Sequence, residues 1–69
     1  MQEKTLYEVF SLAIDGERQA QELYSQAASL SKDNPELKKR FLSFLEDEKR
    51  HEESLTKDYA EFKRMNNIP

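Results

Sequence analysis

Phe41-Leu42-Ser43-Phe44-Leu45-Glu46-Asp47-Glu48-Lys49-Arg50-His51 is the stretch whose phase decides the fold. Its apolar residues recur three or four apart, the spacing of an amphipathic helix. Carried through at the same step, the apolar seam runs Leu37, Phe41, Phe44, Glu48, His51, Leu55, and then Phe62 seven residues on. Glu48 and His51, the only histidine in the chain, therefore stand where leucine is expected. An earlier seam, Leu6, Phe10, Ala13, Glu17, Ala20, Tyr24, Ala27, is also interrupted once, by Glu17. Both follow the 3.5-residue period of antiparallel bundle packing. Three ionisable groups in core positions are costly to bury without a partner, and a bound metal is the simplest partner that accepts all three.

One break separates the seams, at Ser31-Lys32-Asp33-Asn34-Pro35. Asn34 suits an N-cap, and Pro35 fits the first helical position, where its missing N–H costs nothing. Thr5-Leu6-Tyr7-Glu8 has the spacing of a capping box. The reading is all-α, a single half-domain over residues 1–69: helix about 4–30, turn 31–34, helix about 35–64, with Asn66-Asn67-Ile68-Pro69 fraying. Val9, Ile14, Leu23, Leu30, Leu42, Leu45 and Tyr59 widen the stripes beyond what one partner helix covers. Two helices cannot enclose a core, so the antiparallel two-helix hairpin is expected to dimerise into a four-helix bundle.

Bulk properties agree with a chain that needs help. At 69 residues a single chain hides only about 60% of its unfolded surface, and disulfides, metals or oligomerisation usually make up the difference. Cysteine is absent, which excludes disulfides, Cys-based zinc sites and iron–sulfur clusters. A net charge of −3 and a pI near 5.1 argue against nucleic acid. No apolar run approaches a membrane span, and Met1-Gln2-Glu3-Lys4-Thr5 lacks a signal peptide's apolar stretch. A cytoplasmic protein, free or within a protein compartment, is expected.

In an antiparallel hairpin, residues at equal height share a constant index sum. A turn centred between Lys32 and Asp33 sets that sum near 65, which is the sum for Glu17 and Glu48. The two carboxylates should face one another, with Leu6 near Tyr59, Phe10 near Leu55 and Tyr24 near Phe41. His51 lies three residues beyond Glu48, about 4.5 Å in rise and on the same face. One hairpin thus supplies one Glu from its first helix and Glu-x-x-His from its second. A carboxylate-bridged two-metal site in a four-helix bundle needs two such sets. Two copies of Glu17 and Glu48 carry four negative charges, which two divalent ions cancel. One metal per chain follows, two per dimer.

An oxygen-rich set with one imidazole per metal suits iron or manganese, with zinc or cobalt as substitutes. By analogy with known two-metal sites, Glu48 bridges and Glu17 is terminal. Asp47, one turn before His51, is a candidate acceptor for the second ring nitrogen. Glu-x-x-His alone is weak evidence: with ten Glu in the chain, it arises by chance about one time in seven. The seam position and the matching height of Glu17 are what strengthen it. Glu52 and Glu53 read more simply as a solvated face pairing with Lys57 or Arg50, the alternative for Glu52 being an extra or entry-site ligand. Tyr24 reads as core packing or as a hydrogen-bond partner of a metal-bound carboxylate. Gly16 either permits close backbone approach beside the site or is merely tolerated.

These residues resemble the ferritin-like superfamily in its rubrerythrin branch. The matching stretch, from about Ala13 to Tyr59, reads Gly16-Glu17-x-x-Ala20-x-x-Leu23-Tyr24, then Asp33-Asn34-Pro35-Glu36-Leu37, then Phe44-Leu45-Glu46-Asp47-Glu48-x-x-His51. The resemblance implies that Glu17, Glu48 and His51 are iron ligands and that Tyr24 lies close by. Rubrerythrin-type chains generally carry four helices with both half-sites, and often a four-cysteine rubredoxin domain; this sequence has one half and no cysteine. Its two-helix plan is closer to the encapsulated ferritins, which build a ferroxidase centre at a subunit interface inside an encapsulin shell. Their C-terminal shell-targeting segment finds no counterpart in the five residues after Arg64, so an encapsulin shell is a partner implied by the resemblance alone.

Three functions are weighed. The leading one is a di-iron ferroxidase at a homodimer interface, serving iron storage or detoxification, in which the metal ligands are the only catalytic groups. The second is peroxide reduction at the same site, as rubrerythrins do, with electrons from an external donor. The third is a metal-free helical-hairpin oligomerisation module. A ring or cage of dimers is left open by the width of the apolar stripes.

Overall fold

The computed structural model describes residues 5–66, which form two helices, α1 (Leu6–Leu30) and α2 (Pro35–Met65), packed as an antiparallel hairpin. Both start where local chemistry satisfies the orphan amides of a first turn. Thr5 caps α1: its hydroxyl oxygen accepts from the Glu8 backbone N–H at 3.1 Å and donates to the Glu8 carboxylate at 3.3 Å. The helix therefore begins at Leu6, two residues later than the expected residue 4, which itself lies outside the described residues. Asn34 caps α2, accepting from the Leu37 backbone N–H at 3.1 Å, with Pro35 at the first helical position. Such a cap contributes about 1 kcal/mol.

The ends are equally local. Ser31 closes α1, its N–H donating to the Ala27 and Ala28 carbonyls and its hydroxyl to the Ala27 carbonyl at 2.7 Å. Asn34 N–H then donates to the Ser31 carbonyl at 2.9 Å, which tightens the turn. Asn66 does not fray: its backbone N–H and its side-chain amide both donate to the Phe62 carbonyl. The fraying expected of residues 67–69 lies outside the described residues. Lys63 and Arg64 in the last turn of α2 complement the negative end of its dipole.

Aromatic rings pin the hairpin at two heights. Near the turn, Tyr24 stacks on Phe41 (centroids 6.4 Å apart) and tilts against Phe44 (5.5 Å). At the far end, Tyr59 takes Tyr7 edge-on at 5.5 Å and Phe10 face-on at 5.3 Å, and the Lys63 ammonium sits 4.5 Å above its ring. The Tyr24–Phe41 pair matches the expected register. Further out, the ring contacts of Phe10 run to Tyr59 and Phe62 rather than to the expected height of Leu55. Helical side chains lean toward their own N-terminus, which displaces each contact by about one position on each helix. In an antiparallel pair the two displacements add, so contacts form at a higher index sum than the backbones do.

The shared seam buries little. Among the described residues only Ile14 and Ala28 are buried apolar side chains, and no large side chain is fully enclosed. Leu6, Val9, Leu12, Leu23, Leu30, Leu37, Leu42 and Phe44 all remain exposed. Leu6 and Leu37 are seam residues, and Phe44, although tilted against Tyr24, is still 39% exposed, so the other helix covers each seam only in part. Among the described residues, no helix is long and apolar enough to cross a membrane.

Candidate metal centre

Midway between the aromatic clusters the seam turns polar. Glu17 on α1 and Glu48 and His51 on α2 converge there, each offering one ligand atom, and these atoms all lie within 4.8 Å of one another. His51 Nδ1 is 3.6 Å from Glu17 Oε2 and 3.6 Å from Glu48 Oε2. Those separations are too long for hydrogen bonds. They are close to what a shared cation imposes: donors about 2.1 Å from one ion stand roughly 3.0–3.4 Å apart at octahedral or tetrahedral angles.

The donor set fits a metal by a second criterion. Glu17 Oε2 is buried and finds no hydrogen-bond partner. A buried, unpartnered carboxylate oxygen costs about 1–3 kcal/mol or more, a cost that a bound cation would offset. Two carboxylates and one imidazole are the donors that suit iron or manganese. The three side chains differ in exposure: Glu17 and Glu48 are 22% and 20% exposed, whereas His51 is 58% exposed. The carboxylates thus sit in the seam while the imidazole lies at its open edge, seven residues beyond Phe44 and fourteen beyond Leu37 on the same stripe of α2.

The remaining candidates are placed as follows. Tyr24 packs between Phe41 and Phe44. Asp47 is paired with Arg50 one turn on, along the outside of α2. Glu52 does not join the Glu17–Glu48–His51 group, nor does it pair with Lys57 or Arg50 on its own helix. It reaches across to α1, where its two oxygens accept from Arg18 Nε at 2.9 Å and Gln21 Nε2 at 2.7 Å. The Arg18 hydrogen bond, followed by that of Gln21, holds the Glu52 carboxyl below the usual carboxylate range, and Arg18 is raised in turn. Arg18 and Gln21 were missed in the sequence because they lie off the seam; their signal is that they flank Glu17 as Glu52 flanks His51. At Gly16 a Cβ would meet nothing within 4 Å, so no close approach inside one hairpin requires glycine there.

The family model described as rubrerythrin matches residues 8–68 of the chain, which takes in both helices and all three converging residues. No curated protein and no solved structure matches it.

Proposed function

Because the chain belongs to the rubrerythrin family, a family of ferritin-like di-iron proteins, we propose that it is a ferroxidase whose two-iron centre is completed by a second copy of the same hairpin. The observation that carries this reading is the asymmetry of the half-site. Glu17 and Glu48 are largely covered, with Glu17 Oε2 unpartnered, while His51 stands exposed on the stripe that also leaves Leu37 and part of Phe44 uncovered. Pairing two hairpins through that side brings two half-sites together and covers Leu6, Leu37 and Phe44.

Fe(II) is then substrate, held by Glu17, Glu48 and His51, one ion per chain. Two ions give up one electron each. O2 takes the two electrons and two protons and leaves as hydrogen peroxide; peroxide as oxidant leaves as two waters. The chain's own work is to bind and orient. Four carboxylates from two chains balance the charge of two Fe(II), and the surrounding apolar residues lower the local dielectric, which strengthens those interactions. No side chain here need act as nucleophile or general base. The exposed Lys49 and Arg50 raise the local concentration of nothing the reaction needs, and belong to the solvated face.

Anaerobic Fe(II) titration tests the reading. Binding should saturate at one iron per chain, and admission of air should produce ferric absorbance in the near ultraviolet. Glu48→Ala should bind none. Saturation at zero in the parent protein, or binding untouched by Glu48→Ala, contradicts the proposal. Turnover with oxygen alone against hydrogen peroxide plus a reductant separates ferroxidase from peroxide reductase chemistry.

A further inference from the structure

Two hydrogen bonds cross between the helices beside the polar layer, and both end on Glu52. Arg18 directly follows Glu17, and Gln21 lies one turn beyond it. Glu52 directly follows His51, and lies one turn beyond Glu48. The Glu52 carboxylate therefore spans one turn of α1 with both oxygens, and it does so immediately beside the converging donors. We propose that Arg18, Gln21 and Glu52 form a register clamp: they hold α1 and α2 in the one alignment that puts Glu17 alongside Glu48 and His51 before metal arrives.

Packing does little to hold this layer. The aromatic clusters lie toward the two ends, and Ile14 is the one large side chain buried near the middle. The layer itself sets two carboxylates facing one another, which pushes the helices apart when no cation is present. The clamp opposes that push with a charge-assisted bond to Arg18 and a second bond to Gln21. Because the two donors are a turn apart, sliding one helix by a single residue, about 1.5 Å, lengthens one bond as it compresses the other. A single ion pair would permit that slide; a carboxylate bridging two donors opposes it. Arg18, Gln21 and Glu52 are positioning residues, none of them a metal ligand.

The purpose of the clamp rests on the iron-binding reading, but the alignment itself does not, so the experiment has a metal-free arm. Amide hydrogen exchange is followed residue by residue in chelator for the parent protein, Glu52→Ala and Glu52→Gln. Co(II) dissociation constants and visible spectra are measured on the same three. Glu52→Ala should speed exchange roughly tenfold or more around residues 14–21 and 45–55, with the Ser31–Asn34 turn little changed. It should also weaken Co(II) binding about tenfold or more and alter the visible bands. Glu52→Gln keeps an acceptor for Arg18 and an amide partner for Gln21 but loses the carboxylate charge, so it should fall between the parent and Glu52→Ala, nearer the parent. Exchange that is unchanged, or raised evenly along both helices, overturns the clamp whatever the metal does. So does Co(II) affinity that survives Glu52→Ala intact, or a Gln variant as impaired as Ala. A parent protein that takes up no metal defeats the ferroxidase reading alone, and the exchange pattern then decides the clamp.

Discussion

The two sides of the hairpin differ in what they complete. On the closed side, where α1 meets α2, Ile14 and Ala28 are buried, the rings of Tyr24 and Phe41 stack, and Glu52 has both oxygens bonded. On the open side, the seam residues Leu6 and Leu37 remain exposed, Phe44 is only partly covered by Tyr24, and His51, on the same stripe as Leu37 and Phe44, has most of its ring uncovered. The closed side explains why the chain is a hairpin. The open side is what the proposed pairing of two hairpins rests on, because the same layer that supplies the covered carboxylates also supplies the exposed imidazole.

The comparison can be broken first on the closed side. Ile14→Ala removes the one large buried apolar side chain near the polar layer. Unfolding free energy, measured by urea titration with chelator present, should fall by about 2–4 kcal/mol. A change under about 0.5 kcal/mol would mean that the closed seam is not where stability resides.

The open side is probed by Leu37→Asp, which sits in the first turn of α2, where an acidic residue suits the helix dipole. The hairpin should keep its helicity by circular dichroism, while dimerisation followed by sedimentation weakens roughly 10–100-fold, about 1.4–2.8 kcal/mol. Unchanged dimerisation would move the interface elsewhere.

Glu17→Leu separates the polar layer from the rest. With chelator present it removes a buried, unpartnered oxygen, and it should raise apoprotein stability by about 1–2 kcal/mol while abolishing the added stability that metal gives the parent. A variant less stable than the parent in chelator would show that the carboxylate has a partner within the protein.

Gly16→Ala is the smallest and sharpens the boundary between the sides. Open space surrounds that position in one hairpin, so the chelated protein should gain about 0.5–1 kcal/mol from helix propensity. A loss in the dimer alone would place a neighbouring backbone against it.

Much of the hairpin was legible because its determinants are local. The Thr5 and Asn34 caps, Pro35 and the seam periodicity are read within a few residues of themselves, and they set both helices to within about a turn. The convergence of Glu17 with Glu48 and His51 was legible for a different reason: a short turn makes index arithmetic a measure of height. That arithmetic measures backbone height rather than side-chain contact, since side-chain lean shifts Phe10 onto Tyr59 and Phe62. Glu52 escaped it altogether. On α2 it reads as one acid among many beside Lys57 and Arg50, and only its reach across to Arg18 and Gln21 distinguishes it. Long polar side chains choose partners by three-dimensional reach, which a seam pattern does not encode.

The most direct test is native mass and bound iron measured together on one sample, before and after chelation. An unfinished half-site predicts a dimer or a multiple of it carrying one iron per chain, with chelation weakening the assembly as it removes the metal. Iron bound at one per chain by a protein that stays monomeric would contradict it, because Glu17, Glu48 and His51 of a single hairpin would then suffice.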